Sequence, residues 1–458
     1  MMGIKEMLML MKTQWLDRSL IVAAALGGVS WGGAPGQEAA RPDPNQPARP
    51  AHEVVCTEGN ALLMKAFQGA SDPAGLLQQA CEKYQKATEL KPDYYRAYCN
   101  WGLTLLTWAG LPGADSRKLY QEAADRYRKA TEVKPDGDEA YNNWAAVLLG
   151  LAALGGPDAE SYGQQACDKY AKSTQIKPDD PEVSNNWGLA LIRCAALSRG
   201  KAAEYYRQAG ERFAKAVELK PDYAQAYDGW GTALYALATQ GGSEAETNYQ
   251  QACEKYEKAC ELRPDSGATL HNWGTALSDW ARKAGPRADM LYREASAKFA
   301  RAAQLDPNDR QVYGNWGTAL IDWACLGGPE SEARFQAGYE ALNKAIQLDP
   351  NDPGMYSTMG RCLLKRARAK RQDARAREES VKSAIQVLSR AESLKPGAGA
   401  YNLACVYAFT GDEAQCRKWL ELGQKQGTLP SLEAVTKEGY LKSMQDKPWF
   451  GQIEWGKP

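Results

Sequence analysis

The sequence predicts an all-α fold, a right-handed α-solenoid of tandem helix-turn-helix units. The first observation is a tryptophan that recurs every 43 residues, at Trp101, Trp144, Trp187, Trp230, Trp273 and Trp316. The second is a proline with the same spacing, seen at Pro135 and Pro178. The third is a 3.6-residue apolar period between these landmarks. A fixed period of this length indicates an array of similar units, each contacting only its neighbours.

The unit at residues 139–179 shows how its two helices are predicted. The first carries an apolar stripe that includes Trp144 and Leu148, and Gly155-Gly156-Pro157 ends it. The second carries Tyr170 at helical spacing from its other apolar residues. Pro178 stops this helix, because a proline cannot continue the hydrogen-bond ladder and restricts the residue before it. The Asp or Asn after each such proline is expected to cap the next helix.

The array is expected to cover residues 51–431 as about nine units, followed by a capping segment at residues 432–458. The eighth unit has Met359-Gly360 in place of Trp-Gly, and the ninth is shorter, with a turn at Gly411-Asp412. Atypical terminal units suit a repeat array, whose ends must be covered. The apolar residues expected to cover its last face are Leu432, Val435, Tyr440, Leu441, Trp449 and Phe450.

The pattern Asn-Trp-Gly-x-Ala-Leu, followed by Ala-x-x-x-Tyr-x-x-Ala-x-x-Leu-x-Pro, resembles the tetratricopeptide repeat. One unit has its signature positions at Trp144, Ala145, Ala166, Tyr170, Ser173 and Pro178. The common unit has about 34 residues, so this chain resembles an extended 43-residue variant with lengthened helices. The resemblance implies a superhelix whose concave groove binds protein or peptide partners.

Composition argues against several classes of function. The 56 basic and 56 acidic residues balance, which gives no general attraction to nucleic acid or anionic membrane. The two histidines, His52 and His271, and the absence of a phosphate loop, nucleophile motif or metal-ligand spacing predict no enzyme, cofactor or metal site.

The eleven cysteines are an odd number without a Cys-x-x-Cys motif, which does not fit a closed disulfide framework. Cys81, Cys167 and Cys253 occupy the same position in alternate units, where the other units have small residues. They are therefore predicted to be small, buried and unreactive.

Residues 1–36 are predicted to be a secretory signal peptide, with Lys12 and Arg18 before a short apolar run and small residues near Gly36. Residues 37–50 are a proline-rich linker. The expected location is therefore periplasmic or secreted, without a membrane span after signal removal. The alternative is an uncleaved N-terminus on a cytoplasmic chain, which the unpaired thiols favour slightly.

The candidate binding residues form an asparagine ladder, one residue before each tryptophan: Asn100, Asn143, Asn186, Asn272 and Asn315, with Gly229 as the gap. Each lies about 100° round the helix from its tryptophan, toward what resembles the concave lining. An amide donates and accepts hydrogen bonds, so the ladder is expected to hold a peptide backbone. The alternative is that the asparagines only bond neighbouring helices. Arg193, Asp279 and Asp322 lie nearby and either select partner charge or form a solvated face.

The predicted function is a protein–protein interaction scaffold that binds an extended polypeptide in the groove. The alternative is a structural component of a cell-envelope or polymer-export complex. Such a component docks through its convex face or through the basic run Arg361, Lys365, Arg366, Arg368, Lys370, Arg371, Arg375 and Arg377. The partner and the oligomeric state are left open by the sequence.

Overall fold

The computed structural model describes residues 49–198, 200–370 and 373–456. In these ranges the chain is helical, with nine tandem helix pairs and one further α-helix, so the predicted all-α repeat fold is confirmed. The predicted signal peptide, residues 1–36, and most of the linker lie outside the described residues. The chain divides into two compact units, which meet between Leu262 and Arg263 and are described separately. None of the described helices is both long and apolar enough to cross a membrane.

The first unit contains five helix pairs. Its helices are α1 Ala51–Phe67, α2 Pro73–Leu90, α3 Tyr95–Ala109, α4 Ser116–Val133, α5 Asp138–Ala153, α6 Ala159–Ile176, α7 Pro181–Leu197, α8 Ala202–Leu219, α9 Ala224–Gln240 and α10 Ala245–Leu262. Each second helix packs against its own first helix and, up to α8, against the first helix of the next pair.

The second unit contains four helix pairs and a capping segment. Its helices are α11 Gly267–Ala281, α12 Ala288–Leu305, α13 Arg310–Ala324, α14 Ser331–Leu348, α15 Pro353–Ala369, α16 Ala374–Leu394, α17 Ala400–Thr410, α18 Glu413–Lys425 and α19 Leu432–Glu438. Short 3-10 helices follow at Lys442–Met444 and Phe450–Gln452.

The helix starts repeat with the period of the sequence. In the first unit, α3, α5, α7 and α9 begin at Tyr95, Asp138, Pro181 and Ala224, each 43 residues after the last. The expected caps are corrected by one position, because the capping residue is the second one after the proline rather than the first. The side chains that accept hydrogen bonds from backbone N–H groups at the helix starts are those of Asp180, Asp309 and Asp352. The proline and the residue after it form the turn, so the cap falls on the next residue, where the helix begins.

The core of each pair in the first unit, and of the pair α11 and α12, has an aromatic ring of the second helix set against a small residue of the first; in the next two pairs Leu342 and Leu388 take the place of the ring. A Cβ on Gly102 would lie 2.7 Å from the Tyr127 ring, and one on Gly188 would lie 2.8 Å from the Phe213 ring. Both rings are fully buried. The glycine that follows the tryptophan therefore permits close approach of the two helices.

The capping segment covers the end of the second unit largely as expected. Val435, Leu441, Trp449 and Phe450 are buried in its core. Leu432, in contrast, is 47% exposed, because it begins the short helix α19 on the solvent side. The indole of Trp449 donates a hydrogen bond of 2.8 Å to Glu413, which ties the segment to α18.

Candidate functional site

The ladder asparagines lie on the first helices α3, α5, α7, α11 and α13, one residue before each tryptophan. Asn100, Asn186, Asn272 and Asn315 are half-buried, whereas Asn143 is only 2% exposed. The ladder is therefore not a uniformly accessible row, and Asn143 is enclosed by protein.

Several amides along this row bond the preceding first helix. Asn100 donates to Asn60 of α1 over 2.8 Å. Asn315 makes a 2.8 Å hydrogen bond to Nε2 of His271 on α11. Asn402 of α17, which sequence reasoning missed, donates to Ser357 of α15 over 2.8 Å. The row thus joins consecutive repeats within each unit. This agrees with the alternative drawn from the sequence, that the asparagines bond neighbouring helices.

His271 is built into this bonding as a neutral side chain. It is buried, and burial lowers the pKa of its imidazole, against a smaller opposing effect of Asp309. The neutral ring presents an unprotonated Nε2, which accepts the hydrogen bond from the Asn315 amide.

The asparagine doublets of α5 and α7 behave differently. Asn142 donates to Oδ1 of Asn143 over 3.1 Å, and Asn185 donates to Oδ1 of Asn186 over 3.4 Å. Asn142 and Asn185 are buried, and their Oδ1 atoms accept no hydrogen bond from the described residues. Leaving a buried acceptor unmatched costs about 1–3 kcal/mol. Sequence reasoning missed these two residues, although the doubled Asn before Trp was the available signal.

Arg193 lies two helical turns beyond Asn186 on the same face of α7. It is half-buried, its buried Nε has no hydrogen-bond partner among the described residues, and it forms no ion pair with them. Burial lowers the pKa of its guanidinium. The first unit therefore holds an uncompensated cation two helical turns from the doublet of α7.

Asp279 and Asp322, the other charged candidates, belong to one ion-pair cluster in the second unit. Arg282 binds both carboxylates, at 2.7 Å for Asp322, and Lys365 binds Asp322 as well. Burial raises the pKa of Asp322, but Arg282 and Lys365 outweigh it and hold this pKa below its ordinary value. These acidic groups are already neutralised by the protein.

The gap in the ladder has a packing cause. Phe213 of α8 fills the space beside Gly229, where a Cβ would lie 2.5 Å from the ring. Two repeats earlier the same position is Tyr127, and its neighbour is Asn143. As the Phe213 ring is placed here, a side chain at position 229 would clash with it.

We expect Gly229→Asn to destabilise the first unit by about 1–3 kcal/mol, because it overpacks a closed core. The urea midpoint of unfolding measures this loss. Asn186→Gly is the matched control, since it removes a half-exposed ladder residue without creating a clash and costs only about 0.3 kcal/mol, because Asn is itself a poor helix former. A Gly229→Asn chain at least as stable as the wild type would contradict the packing explanation.

The basic run on α15 and α16 is largely paired. Lys365 binds Asp322, while Arg366 and Lys370 bind Glu332 of α14, the latter at 3.1 Å. Arg375 pairs with Glu379 over 3.1 Å. Arg371 lies outside the described residues. Much of the charge expected to attract an acidic partner is thus used within the second unit.

A second row, missed from the sequence, lies where the tryptophans meet the second helices. A basic residue 25 positions after each of the first five tryptophans of the repeat stacks on its ring, with Arg126 3.8 Å from Trp101 and Lys169 4.0 Å from Trp144. The other three stacks are Arg212 on Trp187, Lys255 on Trp230 and Lys298 on Trp273. The expectation that the tryptophans are core residues holds fully for Trp101 and Trp273, and the others are half-buried.

One opening lies along this second row. A cavity of about 550 Å³ lies between α8, α9 and the start of α10. Its lining includes Tyr206, Arg207, Gly210, Trp230 and Asn248. Gly210 lines it at the position where other repeats have Cys81, Ala124 or Cys167. Among the described residues, no group of His, Cys, Asp or Glu side chains is arranged to hold a metal ion.

Comparisons with known proteins bear on the fold. No protein-family model and no curated protein matches the chain. A tetratricopeptide repeat protein from Parabacteroides merdae is 14% identical over 72% of this chain and 99% of its own, with a TM-score of 0.41. PilF of Pseudomonas aeruginosa is 18% identical over 56% of this chain and 93% of its own, with a TM-score of 0.38. YrrB, a tetratricopeptide repeat protein with an unusual peptide-binding site, is 19% identical over 50% of this chain and 94% of its own, with a TM-score of 0.34.

The helix pairs themselves establish the type of repeat. The glycine that follows Trp101, Trp187, Trp230 and Trp273 packs on the second-helix aromatic, and the proline follows the second helix, as in the pattern recognised in the sequence. The repeats are tetratricopeptide-like. Within a tetratricopeptide-like pair the ladder and the tryptophan lie on different sides of the first helix, so the two rows described above form separate surfaces.

Proposed function

We propose that the chain is a non-enzymatic scaffold that binds an extended polypeptide along the first helices of its first unit. The observation that carries this proposal is the pair of buried Oδ1 atoms of Asn142 and Asn185, which accept no hydrogen bond from the described residues. Two successive repeats share this feature at the same position. Both oxygens are enclosed, so the side chains around them must move aside before backbone N–H groups of a bound segment reach them; binding then recovers the cost of leaving them unmatched.

The doublets recognise a backbone rather than a particular side chain. An extended segment has unpaired backbone N–H groups along its length, so amide groups on successive helices can accept from several of them. Recognition of this kind gives affinity from main-chain bonds, while neighbouring side chains give specificity. In this proposal Asn186 takes part with Asn185, and the enclosed Asn143 positions Asn142.

Arg193 supplies the charge preference. A guanidinium without a protein counter-ion binds a carboxylate in two parallel hydrogen bonds, and partial burial strengthens that pairing. The favoured partner is therefore an extended segment with an acidic residue. Asp279 and Asp322 are assigned to the support of the second unit, since Arg282 and Lys365 already neutralise them.

The test is a selection of random displayed peptides on the full chain. Selected peptides are expected to be rich in acidic residues and to bind the Asn142→Ala/Asn185→Ala variant about tenfold or more weakly, because two hydrogen bonds of about 1 kcal/mol each are lost. Arg193→Gln is expected to lower affinity mainly for the acidic peptides and to weaken the dependence on salt. Fluorescence anisotropy of the selected peptides measures each affinity.

The matched control is Lys169→Ala, which changes the tryptophan row and leaves the doublets intact. It is expected to retain peptide affinity. Urea unfolding of every variant separates loss of binding from loss of folding. Equal affinity of the doublet variant and the wild type for the selected peptides, with both folded, would refute the assignment.

The cavity beside Trp230 supports a second candidate, docking through the tryptophan row. Trp230 and Tyr206 give it aromatic walls, and Arg207 gives it a charge. Gly210→Leu narrows this cavity, and a Cβ at Gly210 meets Trp230 only at an ordinary contact distance of 3.6 Å. Peptides whose affinity falls with Gly210→Leu but not with the doublet variant would favour this second surface.

A further inference from the structure

The junction between α6 and α7 differs in composition from the junctions on either side of it. Gly163 of α6 stands where the preceding and following repeats have Tyr120 and Tyr206. Cys194 of α7 stands where they have Leu151 and Leu237. Two large apolar side chains are thus replaced by small ones, and the apolar burial that stabilises a junction is reduced here.

Two thiols meet at this reduced junction. The sulfur atoms of Cys167 and Cys194 are 3.6 Å apart, and both residues are buried. A Cβ on Gly163 would lie 3.1 Å from the Cys194 sulfur, so the missing side chain makes room for this thiol against α6. The two cysteines belong to different helix pairs and are 27 residues apart in the chain.

We propose that Cys167 and Cys194 form a disulfide that links the third and fourth helix pairs when the chain folds in the presence of a small-molecule disulfide. The sulfur atoms need to approach from 3.6 Å to a bond length of about 2.05 Å. Rotation of two side chains that already face each other provides this approach. The link substitutes a covalent bond for the apolar packing that the neighbouring junctions have.

The chemistry is a pair of thiol–disulfide exchanges. The Cys167 thiol loses its proton, and the thiolate attacks one sulfur of the oxidant, whose sulfur–sulfur bond breaks and releases one thiol. The Cys194 thiolate then attacks the Cys167 sulfur of the mixed disulfide, and the second thiol leaves. Two cysteines are oxidised, one small disulfide is reduced to two thiols, and the two protons lost by the cysteines are taken up by the leaving groups.

The reaction belongs to folding rather than to the finished fold. The contact with Cys194 and burial both raise the pKa of the Cys167 thiol, so little thiolate is present once the junction is closed. Cys194 is exposed to the oxidant only while α7 docks on α6. The proposed disulfide replaces the expectation that Cys167 is unreactive. It does not depend on the proposed peptide binding.

The test uses the full chain, denatured and reduced, then refolded with reduced and oxidised glutathione or with a reductant alone. Remaining thiols are alkylated in denaturant before tryptic digestion. The expected product is a linked pair of peptides, residues 130–169 with residues 194–199, in the glutathione sample only. The glutathione sample is also expected to unfold at a higher urea concentration, a difference that added reductant abolishes.

Variants separate this pair from the other cysteines. Cys194→Ser is expected to remove both the linked peptides and the difference in midpoint, whereas Cys99→Ser, another buried cysteine, is expected to retain both. Full alkylation of Cys167 and Cys194 in the refolded wild type overturns the proposal, as does a predominant link from Cys167 to another cysteine. The test remains decisive even if Cys194→Ser fails to fold, because the peptide map of the wild type decides the outcome. A linked product with an unchanged midpoint refutes the stabilising role of the bond.

Discussion

Replacing Phe213 with alanine is expected to lower the free energy of unfolding of the first unit by about 3–5 kcal/mol. The ring is fully buried on α8 and is enclosed by Gly188 of α7 and Gly229 of α9. No side chain at either glycine is present to move into the space, so the cavity stays open. The urea midpoint of the full chain, followed by far-UV circular dichroism, measures the loss.

Phe213→Leu is the matched control, because it keeps most of the apolar volume and is expected to cost less than half as much. Phe213→Tyr is expected to destabilise as well, because the new hydroxyl would be buried and Gly229 offers it no amide. An alanine variant that unfolds at the wild-type urea concentration would show that the two glycines do not define a closed core.

Replacing Asp322 with alanine is expected to destabilise the second unit by about 3 kcal/mol, near the low end for breaking a buried ion pair. The carboxylate is 8% exposed and serves both Arg282 and Lys365, which are 38% and 27% exposed. Removing it leaves two cations without their shared partner, although both retain part of their contact with water. Thermal and urea unfolding of the variant measure the change.

The pH dependence of the same variant follows from the sign of the pKa shift. The pKa of Asp322 is lower in the folded chain than its ordinary value, so its contribution is complete above an unfolded pKa of about 3.9 and is lost as the pH falls through the folded value. The free energies of unfolding of the wild type and of Asp322→Ala should therefore converge only in acid. Glu379→Ala, which removes an exposed partner of Arg375, is expected to change stability by less than about 1 kcal/mol at any pH. A stability difference that persists unchanged below the folded pKa would exclude the charge as its cause.

The asparagine ladder shows where reasoning from the sequence reaches its limit. The position of each Asn on its helix follows from its spacing to the tryptophan. Its partner does not, because Asn60 and Asn100 are 40 residues apart, and His271 and Asn315 are 44 apart. The same holds for Arg193 and Asp322, which occupy equivalent positions on their helices, yet one has no counter-ion among the described residues and the other has two.

The sequence by itself determined the 43-residue repeat, the helix starts and ends, and the tetratricopeptide-like pairing. These depend on local causes: the apolar period, the proline that follows the second helices, and the glycines that follow most first helices. Only the tertiary structure decided which side chains remain unmatched, why Gly229 interrupts the ladder, and that Cys167 faces Cys194. Each depends on contacts between different helices, since the docking of one helix on the next sets which side chains are enclosed and which groups find a partner.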